Sequence, residues 1–404
     1  MQENHNCFEK TYVISYNRVK VEFKMDENIT INLKENDPVL KKDGEVRPKK
    51  VGSKKWLVFL ICGIVGIIVG ITCLLVVFLR PKAEIESLSF PKIPSKTENE
   101  ATYSLLTGKA LAEGVDKNAP VFCIQTPNGL DGARPQSGLT EAGVIFEAIA
   151  EAGITRFAAI YQEPSGAVIG PVRSLRMYYL EWDTPFDCTI VHAGGAADAV
   201  AAVSSGGYRN FDENYQYMFR GTYGDRLWNN LFITSNKLKQ YNSDHGYNSS
   251  DLKGFARMTP EDSEKVRIDR LVAEKLEITT PTDKNTSKLE AEVSSINLNF
   301  GNVPSFNVNY EYNAEKNVYE RNYQSGVAHQ VYSCPEEDMG DRNPEDICSL
   351  TTLSPSVVIA MIVQERRAAD GYHEAITTTG SGDAYIFQNG TATKGSWSKA
   401  SKAD

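Results

Sequence analysis

Residues 120–195 read PVFCIQTPNGLDGARPQSGLTEAGVIFEAIAEAGITRFAAIYQEPSGAVIGPVRSLRMYYLEWDTPFDCTIVHAGG, and this stretch decides the fold. Three short apolar runs, PVFCIQT (120–126), ITRFAAIYQ (154–162) and DCTIVHA (187–193), are rich in β-branched and aromatic residues and read as strands. After the first, a Gly/Pro/Asp loop leads into a helix expected from Thr140 to about Ala152. Thr140 offers an N-cap hydroxyl, and Ile145, Ala148, Ile149 and Ala152 recur at helical spacing. The loop EPSGAVIGP runs into a second helix expected from near Arg173. GGAADAVAAVSS, after the third strand, reads as a helix of small residues. Strand and helix thus alternate three times. That order predicts an α/β domain over 119–258, a parallel sheet with helical crossovers.

Downstream, a helix is expected at about 235–242, capped by Ser235. Residues 259–290 are polar and charged and read as a passage between domains. From 291 to 404 the runs VSSINLNF, SFNVNYEYN, NVYERNY, SVVIAMIVQE, AYIFQNG and TKGSWSK alternate with period two between turn residues. They predict a mainly-β C-terminal domain.

Upstream, residues 80–118 hold Pro81, Pro91 and Pro94 among Ser, Thr, Lys and Glu, and read as a linker. Before it, WLVFLICGIVGIIVGITCLLVVFL (56–79) runs 24 residues without a charge. About 20 apolar residues cross a bilayer, so one transmembrane helix is expected here. Gly63, Gly66 and Gly70 offer a small-residue face for helix pairing. Lys41, Lys42, Arg47, Lys49, Lys50, Lys54 and Lys55 precede the helix, against Arg80, Lys82, Lys92 and Lys96 after it. The excess places the N-terminus in the cytoplasm and the rest outside, in a single-pass cell-membrane protein. The run is too long for a signal peptide and is followed by no small-x-small site. Residues 1–55 are charged and without helical period, and read as a disordered cytoplasmic arm, with Met1 or Met25 as its start.

From residue 80 onward, 31 Lys and Arg stand against 43 Asp and Glu, a net charge of −12. So acidic an exterior argues against nucleic acid as a partner. Cys334 and Cys348 bracket a turn-rich acidic loop in a compartment that permits disulfides, and are a candidate pair. Cys123 and Cys188 sit in apolar strands, where buried free thiols are the preferred reading.

Ligands of parallel sheets bind beyond the carboxyl ends of the strands. Three loops leave those ends. One carries Arg134, Gln136 and Ser137. The second carries Arg173, Ser174 and Arg176, and the third His192, Gly194 and Gly195. Each runs into an expected helix N-terminus, whose free N–H groups favour anions. Arginine forks suit carboxylate or phosphate. The alternative is that these arginines pair with Glu147, Glu151, Glu181 or Asp183 as scaffolding, the preferred role for Arg156 at the opposite edge. His192 is a candidate general base, with a hydrogen-bonded structural role as the commoner alternative. His329 is a further candidate from the β domain. No G-x-S-x-G, H-E-x-x-H, P-loop or G-x-G-x-x-G occurs, so no metal or cofactor is expected and catalysis is disfavoured.

ARPQSGLTEAGVIFE, AGITRFAAIYQ, IGPVRSLRMYY and VHAGG, followed by YNAEKNVYERNYQSGVAHQ, PSVVIAMIV and GSGDAYIFQNGTATKGSWSK, occur in that order over about 119–400. In this the chain resembles the YerB-like family of bacterial envelope proteins, a two-part domain of unknown function. The resemblance implies an α/β first part, a β-rich second part and attachment at the outer face of the cell membrane, with no established activity. It marks Arg134, Pro135, Gln136, Ser137, Gly153, Thr155, Arg156, Gly170, Pro171, Arg173, Ser174, Arg176 and His192 as motif residues without assigning them a role. Family members are often lipoproteins; this chain has no lipobox and carries the apolar helix instead. The resemblance also implies a last segment that would follow residue 404. The expectation is a non-catalytic envelope protein binding an anionic ligand, a peptidoglycan fragment or wall polymer, through the loop arginines. The rivals are a hydrolase or transferase with His192 as base, and a scaffold that recruits envelope proteins by strand addition.

Overall fold

The computed structural model describes residues 103–402, apart from 112–113, 165–166, 222–227, 256–257, 260, 263, 266–292, 302 and 335–342, together with the backbone of 11–16, 20–22 and 28–32. The candidate transmembrane helix 56–79 and most of the 259–290 passage lie outside the described residues. Among the described residues no helix is long and apolar enough to cross a membrane.

The main sheet has nine strands. Its N-terminal half is built from β4 (Val121–Pro127), β5 (Val144–Glu151), β6 (Ile154–Gln162), β8 (Cys188–Val191) and β9 (Arg209–Phe211). The helix expected over 140–152 is a strand. Only a short 3-10 turn, Leu139–Glu141, precedes β5. A surface helix buries one stripe, but Val144, Ile145 and Phe146 are successive and all buried, which a strand covered on both faces satisfies. Ala152 and Gly153 then both take positive φ, 48° and 78°. That is the two-residue hairpin turn whose twist matches paired strands. So β5 and β6 are antiparallel, as are β6 and β4, while β4, β8 and β9 run parallel. The expected parallel sheet is therefore mixed. Its crossover helices are α1 (Met177–Asp183), before β8, and α2 (Ala197–Ser204), between β8 and β9. Helix α1 starts later than Arg173 because 172–175 runs extended. Arg173 N donates to Gln125 O at 2.8 Å and Leu175 N to Gly194 O at 3.0 Å.

Alternation along the strands divides the core. Phe122, Ile124, Phe157, Ala159 and Tyr161 face one side. There they meet a small sheet of β7 (Val168–Ile169), β10 (Met218–Arg220) and β11 (Leu231–Thr234), with helix α3 (Ser235–Asp244). The cap of α3 is Thr234, whose hydroxyl accepts from Lys237 N, and Ser235 is the first helical residue. Val121, Cys123, Ala158 and Ile160 face the other side, against Tyr178, Tyr179 and Trp182 of α1. Leu106 is buried in that cluster, so the folded part begins inside the stretch expected to be linker.

The C-terminal part is mainly β, as its alternation predicts. It consists of β12 (Ser295–Leu298), β13 (Val308–Asn313), β14 (Val318–Tyr323), β15 (Gln330–Ser333), β16 (Ser349–Thr352), β17 (Val357–Ile362), β18 (Glu365–Arg367), β19 (Glu374–Ile376), β20 (Gly380–Gln388) and β21 (Thr391–Lys399). Strands β17, β20 and β21 complete the nine-stranded sheet. They join β5 through β1 (Thr11–Tyr16), which runs parallel to both β17 and β5. Strands β2 (Lys20–Glu22) and β3 (Asn28–Asn32) extend the β14-β13-β12 sheet. The arm expected to be structureless over 1–55 thus contributes three strands.

Both cysteine pairs in the folded part are bonded. Cys334–Cys348 is the candidate pair. Cys123–Cys188 corrects the free-thiol reading. Adjacent parallel strands place Cys188 opposite Val121, so Cys123 lies two residues along the same face.

Candidate functional site

The three loops do not converge on one pocket. In the first, Gln136 and Ser137 are buried and committed. Ser137 Oγ donates to Val168 O at 2.6 Å, and its backbone exchanges hydrogen bonds with Gly170. Gln136 Nε2 donates to Pro127 O at 3.0 Å and Asn128 Oδ1 at 3.1 Å. Peptide bonds 134–135 and 170–171 are cis prolines. Arg134 donates from Nε to Asn128 Oδ1 at 2.9 Å and stacks its guanidinium 4.1 Å from the Tyr323 ring centre. Burial lowers its pKa to about 10.

Beneath Arg134 lies a sealed network that sequence reading missed. Arg321, on β14, places Nη2 at 2.9 Å from both carboxylate oxygens of Glu147, on β5, and both residues are fully buried. Thr155 Oγ1 donates to the same carboxylate at 2.8 Å. Burial opposes the charge on Arg321, but Glu147 together with Tyr310 and Tyr323 outweighs it and raises the guanidinium pKa, so the group stays charged. His329 meets Arg321 through Nδ1 and Gln136 Oε1 through Nε2 at 2.9 Å. Burial, then Arg321 and Arg134, push the His329 pKa far down. The ring is therefore neutral, with Nδ1 accepting from Arg321 and Nε2–H donating to Gln136. The available signal was YERNYQSGVAHQ, which carries Arg321 and His329. Placing Glu147 on a helix hid its partner.

In the second loop, Arg176 and Arg156 clamp Glu151, at 2.6 Å and 3.0 Å. Burial would raise the Glu151 pKa, and the two guanidiniums outweigh it and lower it. Arg156 Nη1 also donates to the Ser174 carbonyl at 2.7 Å, and Arg176 Nη1 to the Leu175 carbonyl at 3.0 Å. Arg176 and Ser174 are thus internal structure. Arg173 differs. It is half-buried, its Nε is enclosed without a hydrogen-bond partner as are those of Arg156 and Arg176, and, unlike theirs, its guanidinium has no carboxylate within ion-pair distance among the described residues. Its guanidinium stands 5.8 Å from the ring centre of Trp228, which is 65% exposed. Burial lowers its pKa, with Asp131 acting in the opposite direction and Arg176 and Arg220 adding positive potential.

In the third loop, His192 is buried, with Nδ1 2.8 Å from Gly194 O and Nε2 2.8 Å from Asn210 Oδ1. Asp212 stands 3.4 Å from Nδ1 and accepts from Gly194 N at 2.8 Å. Gly195 packs against α1's lead-in, since a Cβ there would come within 2.8 Å of Leu175 O. Gly195 thus sits in a packed turn, whereas a Cβ on Gly194, at φ 59°, would meet open space. A separate cleft of about 560 Å3 lies between α1, the start of α2 and the β18–β19 pair. On its wall Glu181 pairs with Lys402 at 2.6 Å, and Asp370 accepts from His373 Nδ1 at 2.6 Å. No group of three or more His, Cys, Asp or Glu residues able to hold a metal occurs among the described residues.

Fold and network together define a two-part, disulfide-bonded protein, a mixed sheet sealed against a β-rich half by a buried Glu–Arg–His–Gln chain. Residues 106–248 match the family described as Protein of unknown function (DUF3048) N-terminal domain, and residues 296–404 its C-terminal domain. The chain belongs to this YerB-like family. Among its relatives is "Putative lipoprotein YerB" of Bacillus subtilis (strain 168), 41% identical over 101 residues. That match spans 25% of this chain and 30% of the relative's length. The crystal structure of YerB from Bacillus subtilis shares the fold with a TM-score of 0.54 at 20% identity, over 74% of this chain and 88% of that one.

Proposed function

We propose that this chain is a non-catalytic, membrane-attached protein outside the cytoplasm that binds an anionic envelope ligand at Arg173. The observation that carries the reading is the half-buried guanidinium of Arg173, which, unlike Arg156 and Arg176, forms no ion pair among the described residues. A half-buried cation without a partner is costly, and an incoming carboxylate or phosphate removes that cost. Trp228 beside it supplies an apolar face for the ring of a sugar, which suits an acidic glycan or peptidoglycan fragment. Attachment to the membrane rests on the apolar run 56–79 and on the lipoprotein name of the Bacillus subtilis relative. Catalysis by His192 finds no support, because both ring nitrogens already face oxygen acceptors.

The test is calorimetry on the full chain in detergent micelles, with muropeptides and anionic wall polymer at two salt concentrations. Binding that weakens with salt, is lost in Arg173→Ala and is weakened in Trp228→Ala is expected. Equal binding by parent and Arg173→Ala overturns the site.

A further inference from the structure

The cleft between α1, the start of α2 and the β18–β19 pair holds about 560 Å3, the size of a small-molecule site. Ala196, Ala197, Ala369 and Ala375 line it, and side chains that short leave room between its walls. Several of its charged groups are neutralised within the protein. Arg176 pairs with Glu151 at 2.6 Å, Glu374 pairs with Arg367 at 3.1 Å, and Asp370 accepts from His373. Besides Lys402, the groups left are Glu181 on α1, Asp198 on α2 and Arg366 on β18. Arg366 is exposed and forms no ion pair among the described residues.

Glu181 is 6% exposed. Thr378, itself buried, donates from Oγ1 to its Oε2 and fixes the carboxylate. Oε1 meets the ammonium of Lys402 at 2.6 Å and has no other donor among the described residues. Glu181 first, with Tyr208 and Asp198 adding, raises the Lys402 pKa. Yet the Lys402 side chain is 71% exposed. A buried carboxylate needs a cation, while an exposed lysine gives up rotamer freedom to supply one and is screened by water. Glu181 is therefore a preformed ammonium seat whose occupant is easily displaced. On the same wall, Arg176 Nε lacks an acceptor.

We propose that this cleft binds a short peptide with free ends, and that Lys402 is a tethered plug in its ammonium seat. The terminal ammonium of the peptide replaces Lys402 on Glu181, with Asp198 near it. The terminal carboxylate meets Arg366 on the opposite wall, and a peptide carbonyl accepts from Arg176 Nε. A single amino acid carries its two charges side by side and cannot serve both walls. The methyl lining suits small side chains. The site is separate from Arg173 and does not rest on that reading.

The test is calorimetry on the full chain in detergent micelles, with trialanine, its N-acetyl form and its C-terminal amide. Lys402→Gln is expected to bind trialanine at least tenfold more tightly than the parent, since the plug is gone. Acetylation is expected to abolish binding and amidation to weaken it at least tenfold. Glu181→Gln, with circular dichroism confirming its fold, is expected to lose binding, and Arg173→Ala to bind as the parent does. Failure of Lys402→Gln to bind trialanine, or to bind it more tightly than the parent, overturns the proposal. Equal binding of the acetylated peptide, or loss of binding in Arg173→Ala, overturns it as well.

Discussion

Arg321 and Glu147 show how one ion pair can decide an interface. Both are fully buried and come from opposite halves of the chain, and Arg321 Nη2 donates to both Glu147 carboxylate oxygens at 2.9 Å. Removing one partner of a buried pair costs about 3–5 kcal/mol, because the other is left charged and dry. Glu147→Gln is therefore expected to lower unfolding stability by about that amount in urea titration. Adding Arg321→Met should recover part of it, as removing both charges leaves no uncompensated cation. Asp183 is a second buried carboxyl with a simpler environment. Its Oδ2 accepts from Gln125 Nε2 at 2.9 Å, while its Oδ1 and Gln125 Oε1 both lack donors. Burial raises its pKa well above the usual 3.8, opposed weakly by that hydrogen bond. The folded state then keeps a proton that the unfolded state releases. Stability from this group is present below 3.8 and is lost as pH climbs toward the folded value. Asp183→Asn supplies a permanent donor to Gln125 Oε1. Stability curves across pH should show the variant above the parent at neutral pH and the difference vanishing near pH 3.

At the scale of elements, the β5–β6 hairpin turns on two residues. Gly153 has φ 78°, and a Cβ there would come within 2.7 Å of Val303 Cγ2. Gly153→Ala is expected to cost at least about 1 kcal/mol, from the left-handed backbone and that contact together. Ala152, at φ 48°, is the reverse case. Ala152→Asn should stabilise by about 0.5–1 kcal/mol, since Asn tolerates the left-handed region and favours this turn. Thermal melts of the two variants in opposite directions would establish the turn, and a shared direction would refute it. The Ala–Gly pair also explains the misreading of 140–152. Ala-Gly is not the Asn-Gly or Asp-Gly signature of a hairpin, and Ile145, Ala148 and Ile149 satisfy a helical period as readily as a strand buried on both faces. The β20–β21 hairpin, with Asn389–Gly390 at φ 54° and 70°, carries the recognisable signature, and its strands were legible.

Across the whole molecule, the Cys123–Cys188 bond closes 65 residues of chain. Chain-entropy arguments put the stabilisation from a loop of that length at about 4 kcal/mol. Replacing both cysteines with Ala should lower the urea midpoint substantially more than removing Cys334–Cys348, whose separation is 14, with its expected value of about 3 kcal/mol. Equal losses would show that strain or residual structure, not loop length, governs the two bonds.

The sequence by itself determined the parts whose evidence is local. Alternation and turn residues sufficed for the β-rich second half, the strand runs around Phe122, Phe157 and Ile190, and the small-residue helix α2. The ordered motifs identified the family. Only the tertiary structure decided which groups meet. It turned 140–152 into a strand because both faces of that segment find a core. It joined Cys123 to Cys188 because parallel strands set them on one face. It gave Arg134, Arg176 and His192 internal partners, while Arg173 forms no ion pair among the described residues. Partnership between charges far apart in the chain depends on register and sheet order, and no local pattern encodes it.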